Sequence, residues 1–89
     1  MRTREPIKNP RRLGSHVVAA LDLLASLGIK DVQIYKTTHL RVFWPWGPGR
    51  LAITLPCTPR NYDEAARQAR HSIRRTIEEA VARPMPGTR

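Results

Sequence analysis

His39 and Arg41 are the residues of this sequence whose types and spacing best suit a chemical reaction. An imidazole titrates near neutral pH, so His39 can serve as a general base or a general acid. It can take the proton of a ribose 2′-hydroxyl, which then attacks the adjacent phosphorus, while the Arg41 guanidinium offsets charge on the phosphoryl oxygens. The alternative is an ordinary polar histidine on a solvated strand face. We therefore treat His39 and Arg41 as the candidate catalytic pair.

Aromatic and basic side chains surround this pair in a stretch that alternates like a set of strands. If the strands pair, Tyr35 and Phe43 lie on the same face as Arg41. Aromatic rings offer stacking surfaces to unpaired bases, and basic side chains hold the phosphates between them. In the alternative interpretation, the two aromatic residues are a cross-strand pair that stabilises the sheet, or a partner chain covers them. The strand residues assigned to nucleic-acid binding are Tyr35, Lys36, Phe43 and Arg50.

A second basic group lies near the C-terminus. Its arginines recur at spacings of three and four residues, which places most of them on one side of a helix. Such a face favours contact with phosphates. The alternative is a solvated face whose charge is partly balanced by Glu78 and Glu79. The residues assigned to phosphate contact are Arg67, Arg70, Arg74 and Arg75.

Trp46 lies in the stretch WPWGPG, which reads as the tip of a loop. An exposed tryptophan flanked by proline and glycine is a preformed anchor for a protein or a base. The same side chain can equally fold back onto the sheet, and the sequence does not decide between the two. Trp46 is therefore the candidate partner-binding residue.

The other two histidines are weaker candidates. His16 lies in the first turn of a helix, where a polar residue next to the cap is expected, and His71 lies among the C-terminal arginines. The three histidines lack the spacing of a metal-ligand motif. Cys57 is the only cysteine, which excludes an internal disulfide and a cysteine-based zinc cluster. We expect no metal and no other cofactor.

The composition favours a single domain that binds polyanions. The chain of 89 residues has 16 lysines and arginines against 7 acidic residues, a net charge of +9. Most of the basic residues are arginines, which suits bidentate contact with phosphate. RNA or DNA is the partner that this balance favours. No apolar run is long enough for a bilayer and no secretory signal stands out, so we expect a cytoplasmic protein without membrane contact.

The positions of these groups depend on the order of helices and strands. Ser15 is a candidate N-cap of the first helix, and Gly28 suits the left-handed position after it. Asn61 is a candidate cap of the second helix, with Thr58 before Pro59 as the alternative start. The expected elements are helices at 15–27 and 62–82 and strands at 31–36, 39–44 and 50–55. Together they predict an α+β fold of order α-β-β-β-α, in which both helices cover one face of a three-stranded antiparallel sheet.

The strand pattern also predicts which face is buried. The expected core face is Val32, Ile34, Leu40, Val42, Trp44, Leu51, Ile53 and Leu55. The first helix carries more apolar residues than one packing face requires, so it is either deeply covered or part of a homodimer contact. We expect a flexible basic arm at residues 1–12, one domain at 13–83 and a flexible tail at 84–89.

Four stretches carry a resemblance to a known family. In chain order they are ALDLLASLGI, IYKTTH, RVFWPWGPGRLAITLP and ARQARHSIRRTI. Across residues 20–77 they resemble the HicA-type toxins, small RNA-cleaving partners of toxin–antitoxin pairs with a double-stranded-RNA-binding-like fold. The family carries Gly-Ser-His at its catalytic turn, and Thr37-Thr38-His39 keeps the histidine alone. The resemblance implies an RNA-binding fold, metal-independent endoribonuclease (mRNA interferase) activity at His39, and an antitoxin as protein partner.

Two other functions remain open. One is a non-catalytic module that binds structured nucleic acid or a nucleoprotein complex, such as a small prophage-type regulator or an inhibitor of host defence. The other is a protein-interaction domain, in which the apolar first helix and Trp46 form an interface and the positive charge meets an acidic partner.

Overall fold

The computed structural model describes residues 6–82 and has the expected order of elements. After a short 3₁₀ helix at Pro10–Leu13, the elements are α1 (Ser15–Ser26), β1 (Gln33–Lys36), β2 (Leu40–Trp46), β3 (Gly49–Leu55) and α2 (Tyr62–Ala82). The strands form one antiparallel sheet with β2 in the centre, and both helices pack on the same side of it. The prediction of an α-β-β-β-α fold is confirmed.

The sheet buries the face that the alternating pattern predicts. Ile34 pairs with Val42, and Val42 pairs with Ile53, so apolar side chains from all strands meet on one side. Val32 and Leu51 belong to the expected core face but are only half-buried at its margin. The buried apolar residues of the central cluster are Ile34, Leu40, Val42, Trp44, Ile53 and Leu55 from the sheet and Val17, Ala20, Leu24, Ala69 and Ile73 from the helices.

The start of α1 differs from the prediction. Gly14, not Ser15, is the N-cap, and no side chain caps the helix. Gly14 has a φ of +151°, and a Cβ added there would lie 2.7 Å from His16 Cε1 and 2.8 Å from Tyr62 Cε1. Only glycine leaves room for these two rings, so close packing, and not a hydroxyl cap, determines where the helix begins.

The C-terminus of α1 agrees with the prediction. Gly28 has a φ of +79°. Its N–H donates to the Ala25 carbonyl (3.0 Å), and the N–H of Ile29 donates to the Leu24 carbonyl (3.0 Å). These are the two hydrogen bonds of a Schellman motif, and they satisfy carbonyl groups that the end of a helix leaves free.

The second helix has the predicted bounds. Asn61 caps it, because its Oδ1 accepts a hydrogen bond from the N–H of Glu64 at 3.1 Å. Asp63 and Glu64 lie in the first turn, where the helix dipole favours negative charge. Tyr62, the first residue of α2, is 41% exposed, whereas Ala65 is buried. The ring of Tyr62 lies at the rim of the core, against His16.

Part of the expected N-terminal arm belongs to the folded domain. The N–H of Ile7 donates to the carbonyl of Ile34 at 2.8 Å, and the Ile7 side chain packs against the core. The 3₁₀ helix then leads directly into α1. The rest of the expected arm (residues 1–5) and the expected tail (residues 84–89) lie outside the described residues.

We predict that Gly14→Ala destabilises the domain more than Gly28→Ala does. Both glycines have positive φ, but a Cβ at Gly28 meets nothing within 4 Å. Gly28→Ala should therefore cost only backbone strain, about 1 kcal/mol. Gly14→Ala adds a clash with a buried ring and should cost about 3 kcal/mol. Urea unfolding followed by circular dichroism measures both. Equal losses would show that the rings around Gly14 can move aside.

Candidate nucleic-acid interface

The side of the sheet that faces away from the helices carries the predicted aromatic and basic residues. We call it the exposed sheet face: Gln33, Tyr35, Arg41, Phe43, Arg50 and Thr54. Tyr35 is paired with Arg41 across β1 and β2, and Arg41 is paired with Thr54 across β2 and β3. Tyr35 and Phe43 are half-buried, and the other four are exposed. Because the core face fixes the strand register, these side chains are brought together as the sequence predicts.

Phe43 is the centre of this face. Its ring meets the ring of Tyr35 edge to face, with centroids 5.6 Å apart and an interplanar angle of 84°. The guanidinium carbon of Arg50 lies 4.5 Å from the Phe43 centroid, and that of Arg41 lies 5.4 Å from it. Aromatic rings and planar guanidinium groups both stack on unpaired bases, and guanidinium groups also bind phosphates. One cluster thus offers both kinds of contact.

The cationic side chains of this cluster are not neutralised by neighbouring carboxylates. Within residues 6–82, the ion pairs shorter than 4.0 Å are Arg11–Asp22 (2.7 Å) and Arg75–Glu79 (3.4 Å). Arg41 and Arg50 therefore have no ion-pair partner among the described residues. They also line, with Phe43, an open hollow of about 370 Å³ on the exposed sheet face.

The arginines of α2 form a different surface. Arg67, Arg70 and Arg74 are exposed on the helix, which covers the opposite side of the sheet from Phe43. Arg67 and Arg70 line a groove between α1 and α2 together with Asp22 and Asp63. The predicted contacts thus fall on two sides of the molecule, because α2 packs its apolar side on the core face of the sheet and turns its arginines away from it.

Two of the residues assigned to nucleic-acid binding, Arg75 and Lys36, belong neither to the cluster around Phe43 nor to the groove between α1 and α2. Arg75 is paired with Glu79 one turn along α2, which supports the alternative in which glutamates balance part of the helix charge. Both side chains are more than half exposed, so the pair contributes little to stability. Lys36 is exposed at the last position of β1, opposite Leu40.

His39 lies just outside the strand in which it was expected. Lys36 pairs with Leu40, so residues 37–39 form a three-residue connection and not the predicted two-residue turn. The carbonyl of His39 accepts hydrogen bonds from the N–H (2.8 Å) and the Oγ1 (3.2 Å) of Thr37. Thr37 thus builds this turn with its own hydroxyl. His39 is exposed, and its imidazole has no hydrogen bond within the described residues.

The turn at residues 37–39, which contains His39, also contacts the segment that follows β3. The Cys57 thiol, which is half-buried, lies 3.5 Å from the Thr38 carbonyl as a weak donor. Cys57 follows Pro56 at the exit of β3. The segment after β3 therefore supports the turn between β1 and β2.

Trp46 folds back onto the protein. It pairs with Gly49 around a turn at Gly47 and Pro48, and its half-buried side chain packs against the core. Strand β2 therefore runs longer than expected and includes Pro45, which was expected to lie outside the strands. Proline is tolerated there because β1 begins at Gln33, which pairs with Phe43, so β1 does not reach Pro45 and no strand pairs with it on that side.

His16 is the residue whose environment the sequence pattern missed. It was expected beside a helix cap, but it is fully buried, with Nε2 2.7 Å from the Pro56 carbonyl. Because a carbonyl can only accept, Nε2 donates, and the buried Nδ1 is left without a partner. The ring also lies edge to face against Tyr62 at 5.4 Å. Gly14, which makes room for this ring, is the sequence signal that could have indicated its burial.

We predict that His16→Ala lowers the free energy of unfolding by about 3 kcal/mol, because it opens a cavity and removes the hydrogen bond to Pro56. The matched control is His71→Ala, since His71 is exposed on α2 and should tolerate the change within about 0.5 kcal/mol. Thermal and urea unfolding measure both. A His16→Ala protein as stable as the His71→Ala protein would contradict a structural role for the buried ring.

Comparisons with known proteins find no match for this chain among family models, curated proteins or solved structures. Within residues 6–82, no helix has the length and apolar character needed to cross a membrane. In the same residues, no three His, Cys, Asp or Glu side chains gather to hold a metal ion. The functional assignment therefore depends on the geometry of the exposed sheet face.

Proposed function

We propose that this protein binds unpaired RNA through the exposed sheet face. The observation that carries the proposal is the Phe43 ring with the Arg50 and Arg41 guanidinium groups 4.5 and 5.4 Å from its centroid, beside Tyr35. A base stacks on such a platform whatever its sequence, and the guanidinium groups contact the flanking phosphates. Aromatic rings on the exposed sheet face suit the bases of a single strand more than a duplex, whose bases are already stacked on one another.

The charge of the chain supports a polyanionic ligand. The net charge is +9, and Arg41 and Arg50 have no carboxylate partner within 4.0 Å among residues 6–82. A face that served only to solvate the sheet would not need two uncompensated guanidinium groups around a half-buried aromatic ring. The resemblance to HicA-type toxins favours RNA over DNA and a cytoplasmic location.

The arginines of α2 provide a second contact surface in this proposal. Because Arg67, Arg70 and Arg74 lie on the helix side of the molecule, a short oligonucleotide on the exposed sheet face does not reach them. Only an RNA long enough to pass around the domain engages both surfaces. The same helix surface is also open to a protein partner, for which an antitoxin or a second copy of this chain is the candidate.

A second candidate function is metal-independent RNA cleavage at His39. It is favoured by the exposed imidazole on the turn that leads into β2, two residues before Arg41. His39 would take the proton of a 2′-hydroxyl, the 2′-oxygen would attack the adjacent phosphorus, and Arg41 would stabilise the negative phosphoryl oxygens. The bond from this phosphorus to the 5′-oxygen of the next nucleotide would then break, and the leaving 5′-oxygen would take up a proton from His39 or from water. In that case the protein is a toxin-like endoribonuclease. Without cleavage, it is a non-catalytic RNA-binding regulator or inhibitor.

We predict that Phe43→Leu weakens binding of a fluorescent nine-nucleotide uridine RNA about tenfold, because leucine keeps the apolar contact but not the stacking surface. Arg50→Ala should reduce the slope of log affinity against log salt by about 0.7, the value for one phosphate contact with a single strand. Fluorescence anisotropy at several salt concentrations measures both.

The matched control for this experiment is Arg75→Ala, which removes an arginine already paired with Glu79 on α2. It should leave binding of the short RNA nearly unchanged. If Arg67→Ala or Arg70→Ala weakens binding while Phe43→Leu does not, the RNA lies on the helix side and the proposed interface is wrong.

The cleavage candidate predicts that the wild-type protein cleaves a pool of cellular RNA in the presence of a chelator, and that His39→Ala abolishes cleavage while most binding remains. Attack by the 2′-hydroxyl leaves a 2′,3′-cyclic phosphate, which identifies the reaction. His71→Ala is the control and should keep full activity. Binding without cleavage by the wild type would eliminate the enzymatic candidate and leave the binding function in place.

A further inference from the structure

The exposed sheet face has a second hollow on the other side of Phe43. It has a volume of about 260 Å³, and its lining includes Asp31, Gln33, Phe43 and Arg50. Phe43 and Arg50 also line the cationic hollow that Arg41 borders, so these two side chains divide the face into two compartments. Beside the shared Arg50, the second compartment has an acidic and a neutral polar side chain, Asp31 and Gln33, which distinguishes it from a site for phosphate alone.

Asp31 is unusual in both conformation and charge. Its φ of +62° is the only positive value of a non-glycine residue within residues 6–82. Aspartate tolerates this left-handed conformation better than most residues, but it is still a strained choice where glycine or asparagine would fit. Its carboxylate has no ion pair within 4.0 Å in the described residues. A carboxylate without an ion pair repels the phosphates of any polyanion that binds this face. It therefore lowers the affinity for polyanions in general and favours a ligand that can donate hydrogen bonds to it.

The hydrogen bond of Gln33 indicates which end of its side-chain amide is available to a ligand. The Tyr35 hydroxyl donates to Gln33 Oε1 at 3.3 Å, so the amide oxygen already has a partner. The Nε2 group remains available as a donor. The compartment therefore combines an acceptor pair on Asp31, a donor on Gln33 and an aromatic wall at Phe43.

Among the four common RNA bases, only guanine offers a carboxylate two neighbouring hydrogen-bond donors along one edge. These donors are N1–H and the N2 amino group, and they lie next to the O6 acceptor. Uracil places acceptors on both sides of its one donor, and adenine and cytosine each place an acceptor next to their amino group. A carboxylate can therefore accept one hydrogen bond from adenine, cytosine or uracil along such an edge, but two side by side only from guanine. We propose that Asp31 accepts from guanine N1–H and N2–H while Gln33 donates to O6.

This inference rests on the proposed RNA binding and names its preference: an unpaired guanine held beside Phe43, with its flanking phosphates near Arg41 and Arg50. The base would bind in the compartment lined by Asp31 and Gln33, and the RNA backbone would bind in the compartment lined by Arg41. Base-edge contacts of this kind determine specificity, whereas the phosphate contacts supply most of the affinity.

The experiment compares nine-nucleotide uridine RNAs that carry guanosine, inosine or adenosine at the central position. Inosine lacks only the N2 amino group. The wild type should bind the guanosine RNA about tenfold more tightly than the adenosine RNA, with inosine in between, as expected for one bidentate base contact. Fluorescence anisotropy at constant salt gives the three affinities.

Asp31→Asn is the test variant, because asparagine adopts the same left-handed backbone but offers an amide in place of the carboxylate. It should bind the all-uridine RNA at least as tightly as the wild type, since a negative charge is removed, and it should lose the preference for guanosine. Glu78→Gln on α2 is the matched control for the charge change and should keep the preference.

The outcomes separate this inference from the proposed function. If no RNA binds, the proposed function fails. If the all-uridine RNA binds and the wild type shows no preference for guanosine, the guanine site alone is wrong. If the preference survives in Asp31→Asn, another residue reads the base and the assignment of Asp31 is overturned.

Discussion

The register of β2 between its two neighbours is the constraint on which the rest of the structure depends. Leu40, Val42 and Trp44 point into the core, so Arg41 and Phe43 must point out of it. A slip of one residue would bury a guanidinium group and expose three large apolar side chains. The same hydrophobic burial that stabilises the sheet thus positions the cluster around Phe43, and the candidate site needs no separate structural support.

The sequence was sufficient where a local pattern determines the structure. Period-two alternation predicted both faces of the sheet, and the Asn61 cap and Gly28 predicted one end of each helix. It was insufficient where distant segments meet. Burial of His16 depends on Pro56, 40 residues away, and on the space above Gly14. Trp46 pairs with Gly49 and packs against the core, which the loop sequence left undecided because its side chain could equally have stayed outside.

The candidate site shows the same division. Tyr35, Arg41 and Phe43 could be placed on one face from spacing alone, and the prediction that both helices cover the other face already implies that the α2 arginines lie apart from them. By contrast, nothing in the local pattern singled out Asp31, because its proposed role depends on a backbone conformation and on a hollow shared with Phe43. Charge composition indicates that a surface attracts polyanions, whereas the few uncharged and acidic groups on that surface decide what it selects.

The segment after β3 restrains the turn that contains His39. Pro56 holds the buried ring of His16, and Cys57 contacts the carbonyl of Thr38. The first contact fixes the segment to α1, so the second one links the turn to that helix. Since Cys57 is the only cysteine of the chain, its rate of alkylation reports how often this link opens. The protein therefore carries a built-in chemical reporter of motion next to His39.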